Sequence, residues 1–159
     1  MKKWFFLIVL ISLVLSSCSS TKSVRKTTNK PLTKVDRIVS NALKYKGVKY
    51  KFGGTTTRGM DCSGIIYVSY LQENVQLPRV SRDMAKRGKK ISIRNAEKGD
   101  LLFFKTSKKG RGINHVGLIV SVTKSQIRFI HSTTSRGVIT SSLSEKYWKN
   151  AFVKVNRIL

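Results

Sequence analysis

Cys62, His115 and His131 are the side chains of this 159-residue chain best suited to attack a carbonyl carbon. Cys62 lies in "GMDCSG", between Asp61 and Ser63, and is one of only two cysteines; His115 and His131 are the only histidines. A thiol needs a base to take its proton and later hand it to a leaving amine, and the base needs an orienting group on its other nitrogen. One cysteine and two histidines meet that requirement. The same three residues could instead be metal ligands, but a Cys/His₂ zinc site would lack a fourth ligand and the short spacings of structural sites. A buried cysteine used as a small apolar filler is the third reading.

The elements that would position these groups are legible from periodicity. Cys62 to about Glu73 reads as a helix with Asp61 as its N-cap, which puts the thiol in the first turn. There the macrodipole and free N–H groups favour a sulfur anion and should lower its pKa, although the Asp61 charge opposes this and calls for a cationic partner. His115 begins "HVGLIV", on the face opposite Val116, Leu118 and Val120, while His131 shares a face with Ile127 and Phe129. Upstream, "KVDRIVSNALKYKG" places Val35, Ile38, Val39 and Ala42 on one helical stripe and stops at Gly47. "LPRVSRDMAKRGKKIS" reads as loop with a short helix. "GDLLFFK", "HVGLIVSVT", "SQIRFIHST", "GVITSS" and "AFVKVNRIL" are β-branched, aromatic and bounded by turn residues, which predicts an antiparallel sheet. Helices first and strands after give an α+β domain with the helices on one sheet face.

The N-terminus predicts export. "MKKWFFLIVLISLVLSSC" has two lysines, an apolar run from Trp4 to Leu15 and then small residues, the layout of a secretory signal too short to span a bilayer. "LSSC" at 15–18 resembles the lipobox of bacterial lipoproteins, which implies cleavage before Cys18 and its lipidation. Residues 1–17 are thus expected to be a lipoprotein signal peptide, 18–33 the lipidated cysteine and a flexible basic tether, and 34–159 one domain. With Cys18 lipidated, Cys62 has no disulfide partner, and an unpaired thiol in an oxidising compartment points to use.

Taken together, "YKFGGTTTRGMDCSG", "LPRVSRDM", "KGDLLFF", "NHVGLIV" and "FIHST" resemble the NlpC family of papain-like cysteine peptidases, which cut bacterial cell-wall peptides. The resemblance implies a papain-like fold with the nucleophile at a helix N-terminus. It makes Cys62 the nucleophile, His115 the general acid/base, His131 the orienting residue, and Tyr50 a hydroxyl that helps hold the oxyanion. Asp61 and Ser63 would bind the amino end of a stem peptide, and Arg79 and Ser81 its free carboxylate. Where relatives often carry glutamine, this chain has Met84, and it has no SH3-like wall-binding domain. The expected activity is hydrolysis, through an acyl-enzyme, of the amide joining D-γ-glutamate to meso-diaminopimelate or lysine. An amidase or transpeptidase on the same thiol, or a non-catalytic wall-binding lipoprotein, are the alternatives. No cofactor or metal is implied.

The formal charge of +25 would attract polyanions, and export directs the expectation to the envelope rather than to nucleic acid. The expected partners are peptidoglycan stem peptides and, through the lipid, a membrane. The expected location is the periplasmic face of the outer membrane, because Ser19 rather than Asp follows Cys18, and the expected state is a monomer.

Overall fold

The computed structural model describes residues 31–159 except 108, 109 and 111. The expected signal peptide, the expected lipidation site at Cys18 and most of the expected tether lie outside the described residues.

The first helix, α1, spans Lys34–Leu43 and buries Ile38, Val39 and Ala42. Thr33, assigned above to the tether, is its N-cap: its hydroxyl accepts from the Asp36 N–H at 3.1 Å, while the Asp36 carboxylate accepts from the Thr33 N–H at 3.0 Å. This reciprocal capping box satisfies two otherwise unpaired donors and starts the folded unit just before the apolar stripe. A two-stranded ribbon follows, β1 (Thr55–Thr56) against β2 (Gly59–Met60). Then comes α2, Cys62–Leu71.

Helix α2 is apolar nearly all round because it is enclosed. Ile65 and Ile66 have no exposed surface. Its polar members are satisfied internally: the Ser69 hydroxyl donates to the Ile65 carbonyl at 2.7 Å, and the Tyr70 hydroxyl to the Gly99 carbonyl at 2.8 Å. Gly64 is required by close approach, since a Cβ there would meet the Gly54 carbonyl oxygen at 2.1 Å. The double-glycine loop therefore lies directly on the first turn of the nucleophile helix.

The expected short helix is α3, Ser81–Met84. The sheet has six antiparallel strands in the order β3-β8-β4-β5-β6-β7. The strands are β3 (Lys89–Ile91), β4 (Leu101–Phe104), β5 (His115–Val122), β6 (Ile127–Thr133), β7 (Gly137–Ser142) and β8 (Phe152–Arg157). β3 was hidden in a segment read as loop; its KKI sequence pairs only with β8, at the edge. All four residues of β4 are buried, because the sheet is covered on both faces. Leu101, Phe103, Val116 and Leu118 pack with α1 and α2. Leu102, Phe104, Ile119, Phe129 and Val155 pack with Trp148 of α4, Lys146–Ala151. The expectation of a single helix-covered face is corrected by α4. Each fully buried Leu, Ile or Phe in these layers contributes about 1.5–3 kcal/mol.

Candidate active site

Asp61 builds the first turn of α2. One of its oxygens accepts from the Gly64 N–H at 2.6 Å and from the Ser63 hydroxyl at 3.2 Å; the other accepts from the Gly53 N–H at 2.9 Å. Arg79 closes the arrangement, donating to both Asp61 oxygens at 2.9 and 2.8 Å, to the Ser63 hydroxyl at 2.9 Å and to the Gly54 carbonyl at 3.2 Å. Desolvation pushes the Asp61 pKa up, but the guanidinium and the amide donors win and hold it below the usual carboxylate range. These bonds give Asp61, Ser63 and Arg79 a structural role beside the substrate-binding role expected of them. Both Arg79 NH₂ groups and both Asp61 oxygens are spent on each other and on the loop. Ser81 is buried at the start of α3, and none of Asp61, Ser63, Arg79 and Ser81 lines the cleft beside Cys62. Asp61, Ser63 and Arg79 together clamp the 53–54 loop onto the first turn of α2.

That cleft, about 440 Å³, is lined by Tyr50, Cys62 and His115 among others. Cys62 is a half-buried free thiol. Cys62 packs against the buried cluster that includes Val116, the residue after His115 on β5. Tyr50 sits in an isolated bridge to Met60, and burial, then the nearby Cys62 and Asp61, push its pKa up; its hydroxyl remains a donor.

His115 and His131 are brought together by the pairing of β5 and β6. His115 Nε2 and His131 Nδ1 are 3.0 Å apart, and His131 Nε2 lies 3.0 Å from the Ser141 hydroxyl on β7. His115 Nδ1 has no partner among the described residues. If Nδ1 is to accept a proton, His115 carries its hydrogen on Nε2 and donates to His131 Nδ1; His131 then carries its own on Nε2 and donates to Ser141. Chain connectivity thus assigns every tautomer from one requirement.

Trp148 completes the enclosure. It is buried, stacks on His115 at 5.2 Å with a 22° interplanar angle, and meets His131 edge-on at 4.5 Å. Burial pushes the His115 pKa down to about 4 and that of His131 lower still, with the His115 and Arg136 charges adding to the latter. Cys62 departs from expectation for the same reason. Desolvation outweighs the donors at the helix N-terminus, and the thiol is pushed up, not down. Thiol and imidazole therefore both rest neutral near pH 7.

Ser141 and Trp148 were not found from sequence. Ser141 is one of many serines, and Trp148 belongs to a six-residue helix too short for a periodic signal. Among the described residues no three His, Cys, Asp or Glu side chains form a group able to hold a metal ion. The nitrogens His115 and His131 turn toward each other are already bridged by a hydrogen bond.

Residues 47–157 match the NlpC/P60 family. The chain is 36% identical over 124 residues to the murein DD-endopeptidase MepS/murein LD-carboxypeptidase of Escherichia coli K12, covering 77% of this chain and 62% of that relative. It is also 36% identical over 157 residues to the probable endopeptidase NlpC of the same organism, covering 97% and 99%. Among solved structures, a Staphylococcus aureus protein described as similar to lipoprotein, NLP/P60 family, superposes with a TM-score of 0.69 at 33% identity, over 84% of this chain and 44% of that one.

Proposed function

The chain belongs to the NlpC/P60 family, and from that premise we propose that it is a lipid-anchored cysteine endopeptidase of peptidoglycan. The observation that carries the reading is the 3.0 Å bond between His115 and His131 beside the free thiol of Cys62. It supplies a base with an oriented tautomer at the mouth of the nucleophile's cleft.

In the proposed reaction His115 Nδ1 takes the thiol proton as sulfur attacks the amide carbon. The oxyanion is held by the Cys62 N–H at the start of α2 and the Tyr50 hydroxyl. The imidazolium that forms is stabilised by passing its Nε2 hydrogen bond to His131. It then protonates the departing amine, leaving a thioester. Water attacks that thioester, His115 accepting one of its protons; collapse of the intermediate returns the proton to the leaving thiolate, and the free acid and Cys62 thiol are regenerated. The proposed bond joins D-γ-glutamate to meso-diaminopimelate or lysine, and the step requires no cofactor.

The lipobox at 15–18 supports an anchor at Cys18, and Ser19 supports the outer membrane's periplasmic face. Among the described residues no helix is long and apolar enough to cross a membrane. Mass spectrometry of muropeptides incubated with the full-length protein tests the chemistry. Cleavage should be lost in Cys62→Ala, and cleavage equal to wild type in that variant would end the proposal. Fractionation of Cys18→Ser tests the anchor: the variant should leave the membrane fraction in high salt.

A further inference from the structure

The sheet face that carries Trp148 is only partly covered. α4 has six residues, and Ile93, Ile127, Leu143 and Phe152 pack against the inner layer beside it while staying half exposed. They line a groove of about 530 Å³, larger than the Cys62 cleft at about 440 Å³. Val122, 41% exposed, extends the apolar lining at the end of β5. His115 and Val122 are the two ends of that strand, so cleft and groove lie about 23 Å apart.

The charged side chains lining this groove are all cations: Arg94, Lys124 and Lys149, each exposed. No carboxylate offsets them. All 7 aspartates and glutamates of the chain lie within the described residues. Six are paired elsewhere, with Arg37, Arg79, Lys86, Lys98 and Arg157. Glu145, one turn before Lys149, lines the Cys62 cleft instead and accepts from the Ser142 N–H at 2.7 Å. An apolar floor under a cationic rim is the complement of an amphiphile with an anionic head. The segment that supplies Ile93 and Arg94 also receives the start of the domain. Lys98 pairs with Asp36 at 2.6 Å, and a Cβ on Gly99 would meet the Val35 side chain at 2.4 Å. The chain leading from Cys18 therefore enters the domain at the 93–99 segment.

Resting on the envelope location proposed above but not on the peptidase reaction, we infer that this groove docks on the membrane by binding an anionic phospholipid, acyl carbons on the apolar floor and phosphate among Arg94, Lys124 and Lys149. Charge excludes the occupants closest to hand. A second copy would bring a formal charge of +25 against the same cations. Residues 18–32 carry Lys22, Arg25, Lys26 and Lys30 and no carboxylate, so the chain's own N-terminal stretch is repelled too. An acidic protein segment has the right charge, but a domain anchored at a membrane meets phospholipid in far greater excess. Each cation close to an anionic surface strengthens binding roughly fivefold, so the three together should contribute about a hundredfold.

The test removes the covalent lipid. The expected mature chain, residues 18–159 with Cys18→Ser, is floated with vesicles rich in phosphatidylglycerol and with vesicles of phosphatidylcholine alone, at physiological salt. It should bind the former about a hundredfold more tightly. Changing Arg94, Lys124 and Lys149 together to Gln should abolish that preference. Changing Lys46, Lys89 and Lys90 to Gln, exposed lysines outside the groove, removes the same charge and should cost less than about fivefold. The fluorescence of Val122→Trp should shift to the blue on bound vesicles. Equal binding to both vesicle types, a comparison that needs no groove variant, would overturn the inference. Equal losses in the two triple variants would overturn it as well, by reducing the contact to the field of the whole protein. So would capture of an amphipathic glutamate–leucine peptide in the groove without binding of vesicles, which would assign the groove to an acidic protein. Cys62→Ala should bind vesicles as the parent does, and the groove variant should cleave soluble muropeptides as the parent does, so this reading and the peptidase reading fail separately.

Discussion

Replacing Arg79 by Met keeps the aliphatic stem and deletes the guanidinium, so it tests whether this residue clamps the fold or grips substrate. The variant strips Asp61 of two charge-assisted bonds and removes donors from Ser63 and the Gly54 carbonyl. A fully buried ion pair broken on one side costs about 3–5 kcal/mol, and an exposed pair about 0.2–1 kcal/mol. The Arg79 and Asp61 side chains are 32% and 11% exposed, which places this pair between those limits. Discounted for the solvated guanidinium, the loss should be about 2 kcal/mol, or roughly 6–10 °C in Tm for a domain of this size. The pH dependence follows from the lowered Asp61 pKa. A carboxylate whose folded pKa is depressed stabilises above its unfolded value, about 3.9, and that contribution fades as pH falls through the lower folded value. The gap between wild type and variant should be full at pH 7 and shrink below about pH 4 in urea unfolding. Unchanged stability together with a selective loss on free-acid peptides would refute the clamp and restore Arg79 as a substrate contact.

Three other outcomes follow from the histidine pair. Ser141→Ala should leave the His131 Nε2 hydrogen without its acceptor, costing about 1–3 kcal/mol of stability; it should lower kcat more than it raises KM, with Ser141→Thr recovering part of the loss, and a pure KM effect would contradict the tautomer assignment. With His115 held neutral down to about pH 4 against an ordinary 6.5, the unfolded state binds more protons between those values. Stability should therefore fall by about 3 kcal/mol as pH drops from 6.5 to 4, and a flat or rising profile in urea titrations would be inconsistent with a buried neutral imidazole. Iodoacetamide should alkylate Cys62 with a midpoint at or above that of an ordinary thiol, because burial pushes the thiol up; a fast plateau reaching down to pH 5 would instead reveal a resting thiolate–imidazolium pair.

The sequence made the reactive trio legible because its members are scarce and each sits in a periodic segment. Asp61 as N-cap, the opposed faces of β5 and the shared face of His131 and Phe129 all follow from local rules that packing did not override. What escaped was long-range or short. Trp148 reaches the histidines only because α4 folds back on the sheet, and Ser141 only because β7 pairs with β6 at His131↔Ile139 and its neighbours. The Arg79–Asp61 pair spans 18 residues and brings an ordinary loop arginine onto the helix cap. Charge counting predicted a basic surface, but only the fold pairs Asp61 with Arg79 and Asp100 with Arg157.

The neutral resting pair also explains how the site can combine a reactive thiol with the compartment proposed for it. A helix N-terminus alone would favour a thiolate, and thiolates are the species that oxidants attack first. Trp148 and the sheet remove water from His115, so proton transfer from Cys62 to the imidazole is unfavourable until something else holds the resulting charges. In the proposed reaction the substrate supplies what is missing: its carbonyl oxygen takes up the negative charge as sulfur attacks, while His131, with Ser141 behind it, already stands in place to receive the hydrogen bond of the imidazolium. The energy of burial is thus a penalty on the ion pair in the empty cleft that is relieved as the oxyanion forms. Enlarging access at that wall, by Trp148→Ala, should raise the His115 pKa toward 6.5 and make Cys62 more readily oxidised by peroxide while slowing peptide cleavage. Slower oxidation together with slower cleavage would show instead that Trp148 only packs the core.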